Sequence, residues 1–268
     1  MPVALPITHP RLTDMLPSIT VITPSYNQGK FIGQTVESVL SQAYPNLEYI
    51  VVDGLSTDTT LTVVEPYKSC LTLISEHDNG QADAINKGLR MASGDIVCWL
   101  NSDDFFLPGS LQRVAHYFVD NPQTLWLTGD CRIVNGTGQP IHEPVRQYKR
   151  LLRALVPAAY MGVTNAICQP ATFWRRSVHQ QLGYLDVSLR YTMDYDWWLR
   201  LLTIQRPAVL SEPLSAFRIH AASKGGSEFE RQFDEDYTTL CRHYPSLVVQ
   251  TLHRWHNWGI KCIYEQIK

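Results

Sequence analysis

Apolar runs alternate with amphipathic segments along residues 18–120 of the chain. Each run is short, lacks turn formers and ends in a polar loop, as expected of a strand in a sheet covered on both faces. After each loop the apolar residues recur at helical spacing, for example from Lys30 to Gln42. Strands that alternate with helices predict βαβ units and a parallel sheet with right-handed crossovers. The predicted strands are Ile19–Thr23, Tyr49–Val52, Leu71–Ser75 and Ile96–Leu100.

The polar loops that follow these strands are expected to meet, because the carboxyl ends of parallel strands share one edge of a sheet. We therefore predict that Ser25, Asp53, Gly80 and Asp103 are neighbours in space. Asp103 and Asp104 follow the central apolar run, and carboxylates there suit Mg²⁺ or Mn²⁺ bound together with substrate phosphates. The alternative is that both aspartates cap the following helix. Asp53 either accepts hydrogen bonds from a nucleobase or closes its own turn.

The second half of the chain has a less regular pattern. Leu125–Thr128 predicts a strand, Cys168–Trp174 a loop that enters a strand, and Arg175–Leu182 a helix stopped by Gly183. Val145–Val156 predicts a basic amphipathic helix whose charged side faces solvent, with membrane or acceptor contact as the alternative.

From Phe229 onward the pattern predicts two helices, and the second spans Leu247–Ile267. This last helix carries Trp255, Trp258 and Lys261. Packing on the domain is favoured for it over contact with a membrane surface.

Two aspartates lie close together on another predicted helix. Asp196 has Arg200 at the i+4 position and is expected to form an ion pair with it. Asp194 has no such partner and lies beside an aromatic wall, an environment that raises a carboxyl pKa toward that of a general base. The alternative for Asp194 is a helix N-cap. Further on, a strand is expected to end at His220, before a glycine-rich loop that carries Lys224 and could cover phosphates.

Composition and short motifs reduce the number of protein classes to which the chain can belong. The 268 residues include 23 basic and 25 acidic side chains, and this balance argues against a nucleic-acid partner. Six cysteines without a CxxC pair favour free thiols in a reducing cytoplasm. We expect neither a signal peptide nor a membrane span, and hence a cytoplasmic protein, with peripheral attachment at the inner face of the membrane as the alternative. Residues 24–29 match neither GxGxxG nor the P-loop, which disfavours dehydrogenases and NTPases.

Six short motifs follow one another between residues 18 and 223. They are Ile22–Asn27, Val52–Asp58, Asn79–Gly88, Asn101–Asp104, Asp194–Arg200 and Arg218–His220. Each motif is weak alone, but their order resembles that of family-2 glycosyltransferases with the GT-A fold, an α/β fold with a mostly parallel central sheet. The stretch Ala166–Leu202 is similar to the acceptor-side half of bacterial, inverting members.

The resemblance implies roles for individual residues. The aspartate that contacts the nucleobase maps to Asp53. The DXD motif, which handles the ribose and the divalent metal, maps to Asn101-Ser102-Asp103, so Asp103 is the expected metal ligand. Asn101 replaces an acidic residue, which leaves Asp104 to compensate for the missing charge. A histidine that often completes the metal shell maps to His220.

The family's general base maps to Asp194, with Asp196 as the alternative because Met193 stands where an acidic residue is usual. The expected nucleotide-binding residues are Pro24, Ser25, Tyr26, Asp53, Gly80, Asp83, Asn101, Ser102 and Asp103. The expected supporting residues are Asp104, Gln169, Asp196, Trp197, Arg200 and Lys224.

The resemblance thus implies an inverting, metal-assisted glycosyltransferase that uses Mn²⁺ or Mg²⁺ and a nucleotide-sugar donor, with UDP as the default nucleotide. Its acceptor would be a glycan or a lipid-linked saccharide in polysaccharide biosynthesis. Residues 1–225 would form the catalytic domain, with a nucleotide-binding half at 18–120 and an acceptor-side half at 121–225, and residues 226–268 a helical extension. The alternatives are a sugar-phosphate nucleotidylyltransferase and a non-catalytic nucleotide-sugar-binding module.

Overall fold

The computed structural model describes residues 16–155, 158–221 and 229–267. Eight strands in these residues form one sheet. They are β1 Ile19–Ser25, β2 Leu47–Asp53, β3 Thr72–Ser75, β4 Ile96–Trp99, β5 Phe105–Phe106, β6 Trp126–Val134, β7 Thr172–Arg175 and β8 Ala208–Arg218. Their order across the sheet is β3-β2-β1-β4-β7-β6-β8-β5.

The first half of the chain builds the parallel part of the sheet. Strand β1 pairs in parallel with β2 and β4, and β2 pairs in parallel with β3. In the second half, β7 runs antiparallel to β4 and β6, β5 runs antiparallel to β8, and β6 is parallel to β8. The predicted mostly parallel sheet is confirmed, and its antiparallel strands come from residues after Leu100.

Helices cover both faces of this sheet. They are α1 Ile32–Leu40, α2 Thr60–Val64, α3 Gln81–Met91, α4 Ser110–Asp120, α5 Glu143–Leu155, α6 Ala158–Thr164, α7 His179–Leu182, α8 Met193–Leu202, α9 Phe229–His243 and α10 Leu247–Ile267. The predicted helix over 175–182 is wrong at its start, because Arg175 ends β7 and a short 3-10 turn precedes α7. Gly183, with a φ of 70°, stops α7 as expected.

Successive residues of the central strands enter opposite cores. Val21 and Cys98 pack on the side of α1 and α4, whereas Ile22 and Trp99 pack on the side of α3 and α8. This alternation follows from the two-residue repeat of a strand, and apolar residues at every position are required because both faces are covered. The two cores hold the carboxyl ends of β1, β2 and β4 in fixed positions.

The two C-terminal helices pack on the domain, as favoured from the sequence. The hydroxyls of Thr192 and Thr239 lie 2.9 Å apart between the start of α8 and α9, and both side chains are buried. His253 of α10 is fully buried, and its Nδ1 lies 2.7 Å from the Val163 carbonyl oxygen of α6. Among the described residues, no helix is both long enough and apolar enough to cross a bilayer.

Candidate active site

The carboxyl ends of three parallel strands place polar residues side by side. Ser25 of β1 is in register with Asp53 of β2, and Asp53 is in register with Ser75 of β3. The Ser25 hydroxyl oxygen is buried and has no hydrogen-bond partner within the part of the chain that the structure describes. An unpaired buried hydroxyl carries an energetic cost, which a ligand at this edge would remove.

Asp53 is fully buried at this edge. Its carboxylate accepts hydrogen bonds from the backbone N–H of Ser56 at 3.0 Å and from the hydroxyls of Ser56 and Ser75 at 2.5 and 2.8 Å. The structure therefore shows the local turn that was the alternative for this residue. Contact with a nucleobase stays a prediction, and it would use the acceptor site of the carboxylate that these three bonds leave.

The loops after β1 and β2 are tied into one unit. The Asn27 side-chain oxygen accepts the Thr57 N–H at 2.8 Å, and the Asn27 N–H donates to the Ser56 hydroxyl at 2.8 Å. Asn27 takes the left-handed conformation, with a φ of 52°, that such a turn requires. Next to it, Pro24 is buried in β1, whereas the Tyr26 ring is 61% exposed and is free to stack on a planar ligand.

The start of α3 carries two of the predicted residues. Gly80 has a φ of 108°, which glycine adopts without strain, and its N–H donates to Asp78 at 2.8 Å. Asp83 accepts the Asn79 N–H at 3.0 Å and so holds the first turn of the helix. Gln81 reaches across to β4, where its side-chain nitrogen donates to the Asn101 oxygen at 2.8 Å.

Asn101, at the end of β4, is held from two sides. Besides the bond from Gln81, its side-chain nitrogen donates to the Gln169 oxygen at 3.0 Å. Gln169 in turn donates to the Trp99 carbonyl at 2.8 Å, which joins the loop before β7 to this strand. Ser102 is buried, and its carbonyl accepts the Thr35 hydroxyl. The three-residue motif Asn101-Ser102-Asp103 is therefore rigidly supported.

Asp103 and His220 meet at this edge although 117 positions separate them in the chain. Oδ2 of Asp103 lies 3.1 Å from Nε2 of His220, and their side chains are 21% and 9% exposed. The His220 ring also packs on Phe31, with centroids 4.5 Å apart. A carboxylate oxygen and an imidazole nitrogen that converge in this way form a pair of candidate metal ligands.

Arg218 fixes the backbone on both sides of this pair. Its Nε donates to the Asp103 carbonyl at 2.7 Å, and its guanidinium lies over the rings of Phe31 and Phe105. Its backbone N–H donates to the Asp104 carboxylate at 2.8 Å. The strand β8 thus holds the DXD-like loop in place.

Asp104 turns inward and does not face solvent. It is fully buried, and burial, followed by the Asp103 charge, raises its pKa well above the ordinary range. The expectation that Asp104 substitutes for the missing charge at Asn101 is not met in this geometry, because its carboxylate is engaged with Arg218 and Asn101. Helix capping is wrong for both aspartates, since α4 begins after Gly109 without a side-chain cap.

These residues fit a divalent cation of the kind that the sequence predicts. In the described residues no cluster of three or more His, Cys, Asp or Glu side chains could hold a metal. Mg²⁺ and Mn²⁺ are commonly held by one or two protein ligands together with substrate phosphates and water. Asp103 and His220 supply such a two-residue set, which is incomplete without a phosphate-bearing ligand.

Asp194 is the second residue of α8 and is half-buried. The N-cap is Thr192, so the capping alternative for Asp194 is wrong. Burial raises the pKa of Asp194 to about 6, and the negative charge of Asp236 adds to this shift, whereas a hydrogen bond from the Tyr195 N–H opposes it. A carboxylate with such a pKa is suited to accept a proton near neutral pH.

Asp196, in contrast, is committed to ion pairs. Its carboxylate lies 2.8 Å from Arg200 and 2.7 Å from His243, which confirms the predicted pair with Arg200. Burial raises the pKa of Asp196, but the bonds from His243 and Arg200 outweigh burial and leave the pKa below its ordinary value. Trp197 is fully buried, with the Arg200 guanidinium 4.7 Å from its ring. Asp196, Trp197 and Arg200 therefore support the helix.

Stacked tryptophans connect α8 to the DXD-like loop. The rings of Trp198 and Trp99 are parallel within 2°, with centroids 5.6 Å apart. Trp198 follows Asp194 by one helical turn, and Trp99 precedes Asp103 by four residues. Lys224, the last of the predicted supporting residues, lies outside the described residues.

Sequence reasoning missed the residues that position the site from a distance. Arg218 belonged to a recognised motif but received no role, and Gln81 and Thr35 were not singled out. Their contacts span 115, 20 and 67 positions in the chain. The one available signal was Arg218 itself, the cationic residue two positions before His220 in the same motif.

The model of the glycosyl transferase family 2 matches residues 20–183 of the chain. The chain belongs to this family. The chain is 26% identical, over 209 residues, to an uncharacterized glycosyltransferase of Rickettsia prowazekii, with 77% of the chain and 65% of that protein covered. It is 36% identical, over 122 residues, to the putative teichuronic acid biosynthesis glycosyltransferase TuaG of Bacillus subtilis, with 44% and 48% covered. The chain thus spans less than two thirds of either relative.

Solved structures confirm the GT-A fold of the chain. Staphylococcus aureus TarS 1-349 in complex with UDP-GlcNAc matches with a TM-score of 0.67 at 20% identity, over 87% of this chain and 69% of that chain. The mannosyltransferase PcManGT of Pyrobaculum calidifontis, in complex with GDP-Man and Mn²⁺, matches with a TM-score of 0.65 at 20% identity, over 89% and 68%. At this level of sequence identity the similarity to these structures is evidence for the fold alone.

Proposed function

We propose that this glycosyltransferase moves a sugar from a nucleotide-sugar donor to a hydroxyl of a glycan or lipid-linked saccharide, with inversion at the anomeric carbon. The observation that carries the proposal is the pairing of Asp103 with His220 at the carboxyl end of the central strand. Two ligands there, with donor phosphates to complete the shell, suit a metal–diphosphate complex. The division into a donor half at 18–120 and an acceptor half at 121–225 belongs to the same proposal.

The ligands and the names of similar proteins support the proposal. A structural neighbour binds UDP-GlcNAc, another binds GDP-Man with Mn²⁺, and a relative is named for teichuronic acid biosynthesis. We take UDP as the default nucleotide and polysaccharide biosynthesis as the setting. The uracil N–H would be recognised at Asp53, and the Ser25 hydroxyl would gain a partner from the nucleotide.

Each part of the site has a role in direct displacement. Asp103 and His220 would hold Mn²⁺ or Mg²⁺, which when bound neutralises charge on the departing diphosphate. Asn101, fixed by Gln81 and Gln169, positions the donor. Asp194 accepts the proton of the acceptor hydroxyl. In the same step the hydroxyl oxygen bonds to the anomeric carbon, and the bond from that carbon to the diphosphate breaks.

The test is product analysis with and without Mn²⁺, using UDP-, GDP- and dTDP-sugars. We expect metal-dependent release of a nucleoside diphosphate, fastest with one nucleotide. A nucleotidylyltransferase would instead release pyrophosphate from a nucleoside triphosphate and a sugar phosphate. A binding module would bind the nucleotide-sugar without turning it over, and either outcome would refute the proposal.

A further inference from the structure

The C-terminal helix α10 exposes apolar side chains and buries polar ones. Its outward side chains recur at helical spacing and are 67%, 45%, 75% and 70% exposed, for Val248, Leu252, Trp255 and Trp258 respectively. On the opposite side His253 is fully buried. A helix packed on a globular domain normally turns its apolar residues to the core, whereas α10 packs Val249 on the core and exposes a further apolar stripe on its outward side.

The inward side of α10 is fixed by polar contacts. His253 Nδ1 lies 2.7 Å from the Val163 carbonyl oxygen, and its Nε2 lies 2.8 Å from the Asp236 carboxylate. The Asn257 side chain donates to the same carboxylate at 2.9 Å. Rolling the helix to bury its tryptophans would leave these buried polar groups unpaired, at a cost. The outward direction of the tryptophans is therefore built into the fold.

Helix α5 adds a second apolar stripe beside the first. Tyr148, Leu151 and Leu155 recur at helical spacing and are 40%, 54% and 69% exposed. The Tyr148 ring stacks on His256 of α10 with centroids 6.2 Å apart, so the two helices meet at this contact. We call the surface formed by Tyr148, Leu151, Leu155, Val248, Leu252, Trp255 and Trp258 the α5–α10 face. Exposed apolar residues grouped in this way mark an interaction surface.

Both helices carry exposed basic side chains. Arg150 of α5 and Arg254 of α10 are exposed, and the Arg254 guanidinium lies 5.7 Å from the Tyr237 ring of α9. Residues 247–261 contain no Asp or Glu. Tryptophan beside arginine or lysine on an amphipathic helix is the composition of segments that lie in the interface of an anionic membrane.

We propose that the α5–α10 face docks this chain on the surface of an anionic lipid bilayer. Trp255, Trp258 and the leucines would enter the boundary between headgroups and acyl chains, while Arg150 and Arg254 contact lipid phosphates. Docking of this kind requires neither a membrane span nor a change in the packing of α10.

The packing of α10 places the α5–α10 face relative to Asp194. Tyr195, the neighbour of Asp194 in α8, stacks its ring on His253 at the inward side of α10, with centroids 6.0 Å apart. The membrane would therefore lie across one helix, about 10 Å thick, from the surroundings of Asp194. A lipid-linked acceptor could then reach the base from the bilayer, an inference that rests on the proposed function, whereas the docking itself does not.

Vesicle flotation of the full chain tests the docking. Wild type should float with phosphatidylcholine vesicles that contain phosphatidylglycerol, and the Trp255→Gln/Trp258→Gln variant should bind at least about tenfold more weakly, because buried aromatic area is lost. Arg150→Gln/Arg254→Gln should lose about fivefold per charge on the anionic vesicles alone. Val119→Gln, at a 43% exposed position of α4, is the matched control and should float like wild type.

Two results would overturn the proposal. One is wild type that does not float, or floats no better than the tryptophan variant. The other is a concentration-dependent dimer, seen by sedimentation velocity, that the tryptophan variant abolishes, since a second copy would then cover the face. Release of nucleoside diphosphate without vesicles should be equal in wild type and the tryptophan variant, so failure of the proposed function is detected separately.

Discussion

Two adjacent carboxylates, Asp103 and Asp104, have opposite surroundings. Asp103 reaches the edge of the sheet and meets His220, whereas Asp104 is buried against the backbone of Arg218. The two side chains leave a turn that is closed by the bond from the Asp104 N–H to the Asn101 carbonyl at 3.0 Å, and they point to different surroundings. The two aspartates of α8 also differ, because Asp196 is held by His243 and Arg200 while Asp194 keeps a raised pKa.

Asp194→Asn removes the proton acceptor while it preserves the shape of the side chain. We expect kcat to fall about 10²–10⁴-fold with little change in donor KM. In wild type, kcat should rise with pH and level off above about 6, because the base acts only when it is deprotonated and burial raises its pKa to about 6. Asp196→Asn is the control: if it abolishes turnover in folded protein while Asp194→Asn does not, the assignment of the base is wrong.

Asp103→Asn removes the charge of the expected metal ligand. The Mn²⁺ concentration for half-maximal activity should rise by at least about tenfold, since even groups that only orient ligands affect metal affinity by about 10–100-fold. A Mn²⁺ titration of donor turnover measures the effect. Asp186→Asn, which alters a carboxylate in the exposed turn before Ser188, should titrate like wild type. An unchanged titration for Asp103→Asn would refute the ligand role.

At the scale of elements, the strength of the hydrophobic pattern decided what could be predicted. Strands β1, β2 and β4 are apolar runs buried on both faces, so their existence followed from the sequence. Strand β5 has two residues and shows no period, and it forms only because β8 pairs with it. Strand β8 contains Ser211, Glu212 and Pro213, which weaken any strand pattern, yet it borders the site.

The candidate site, too, could be predicted only in part from the sequence. Residues at strand ends could be predicted to converge, because parallel topology places them together. The supporting bonds from Arg218, Gln81 and Thr35 could not, because they depend on tertiary approach between segments far apart in the chain. Which oxygens of Asp53 are occupied also depends on the rotamers of Ser56 and Ser75.

Helix α5 is anchored to the sheet by a buried ion pair. The Arg153 Nη2 atom lies 2.6 Å from Asp130 of β6, and both side chains are 1% exposed. Arg153→Met should lower the free energy of unfolding by about 3 kcal/mol, since one partner of a buried pair is left without full compensation. Arg146 keeps its contact with Asp130, which places the loss at the low end of the usual range.

Urea denaturation followed by circular dichroism measures this loss. The exposed neighbour Arg150→Met should change the free energy of unfolding by no more than about 0.5 kcal/mol. Equal stability of Arg153→Met and wild type would mean that the desolvation cost of the pair cancels its attraction.

At the scale of the whole molecule, one sheet gathers groups from the full length of the chain. The rim takes Ser25 and Asp53 from the first strands, Asp103 from the middle and His220 from beyond β8. Such a site forms only when the whole sheet is folded. Ligand binding and global stability are therefore coupled, because a ligand bound only by the native state shifts the unfolding equilibrium.

Thermal unfolding in the presence of different nucleotides uses this coupling to identify the nucleotide that the chain binds. With Mn²⁺ present, a matched nucleoside diphosphate at about 100 times its Kd should stabilise the chain by about 2.7 kcal/mol. For a chain of this size that corresponds to a rise in Tm of roughly 5 °C or more. We expect UDP to give the larger rise than GDP or dTDP, and Asp103→Asn to reduce it. Equal rises with all three nucleotides would show that the site does not discriminate between the bases, and no rise with any of them would contradict the nucleotide site itself.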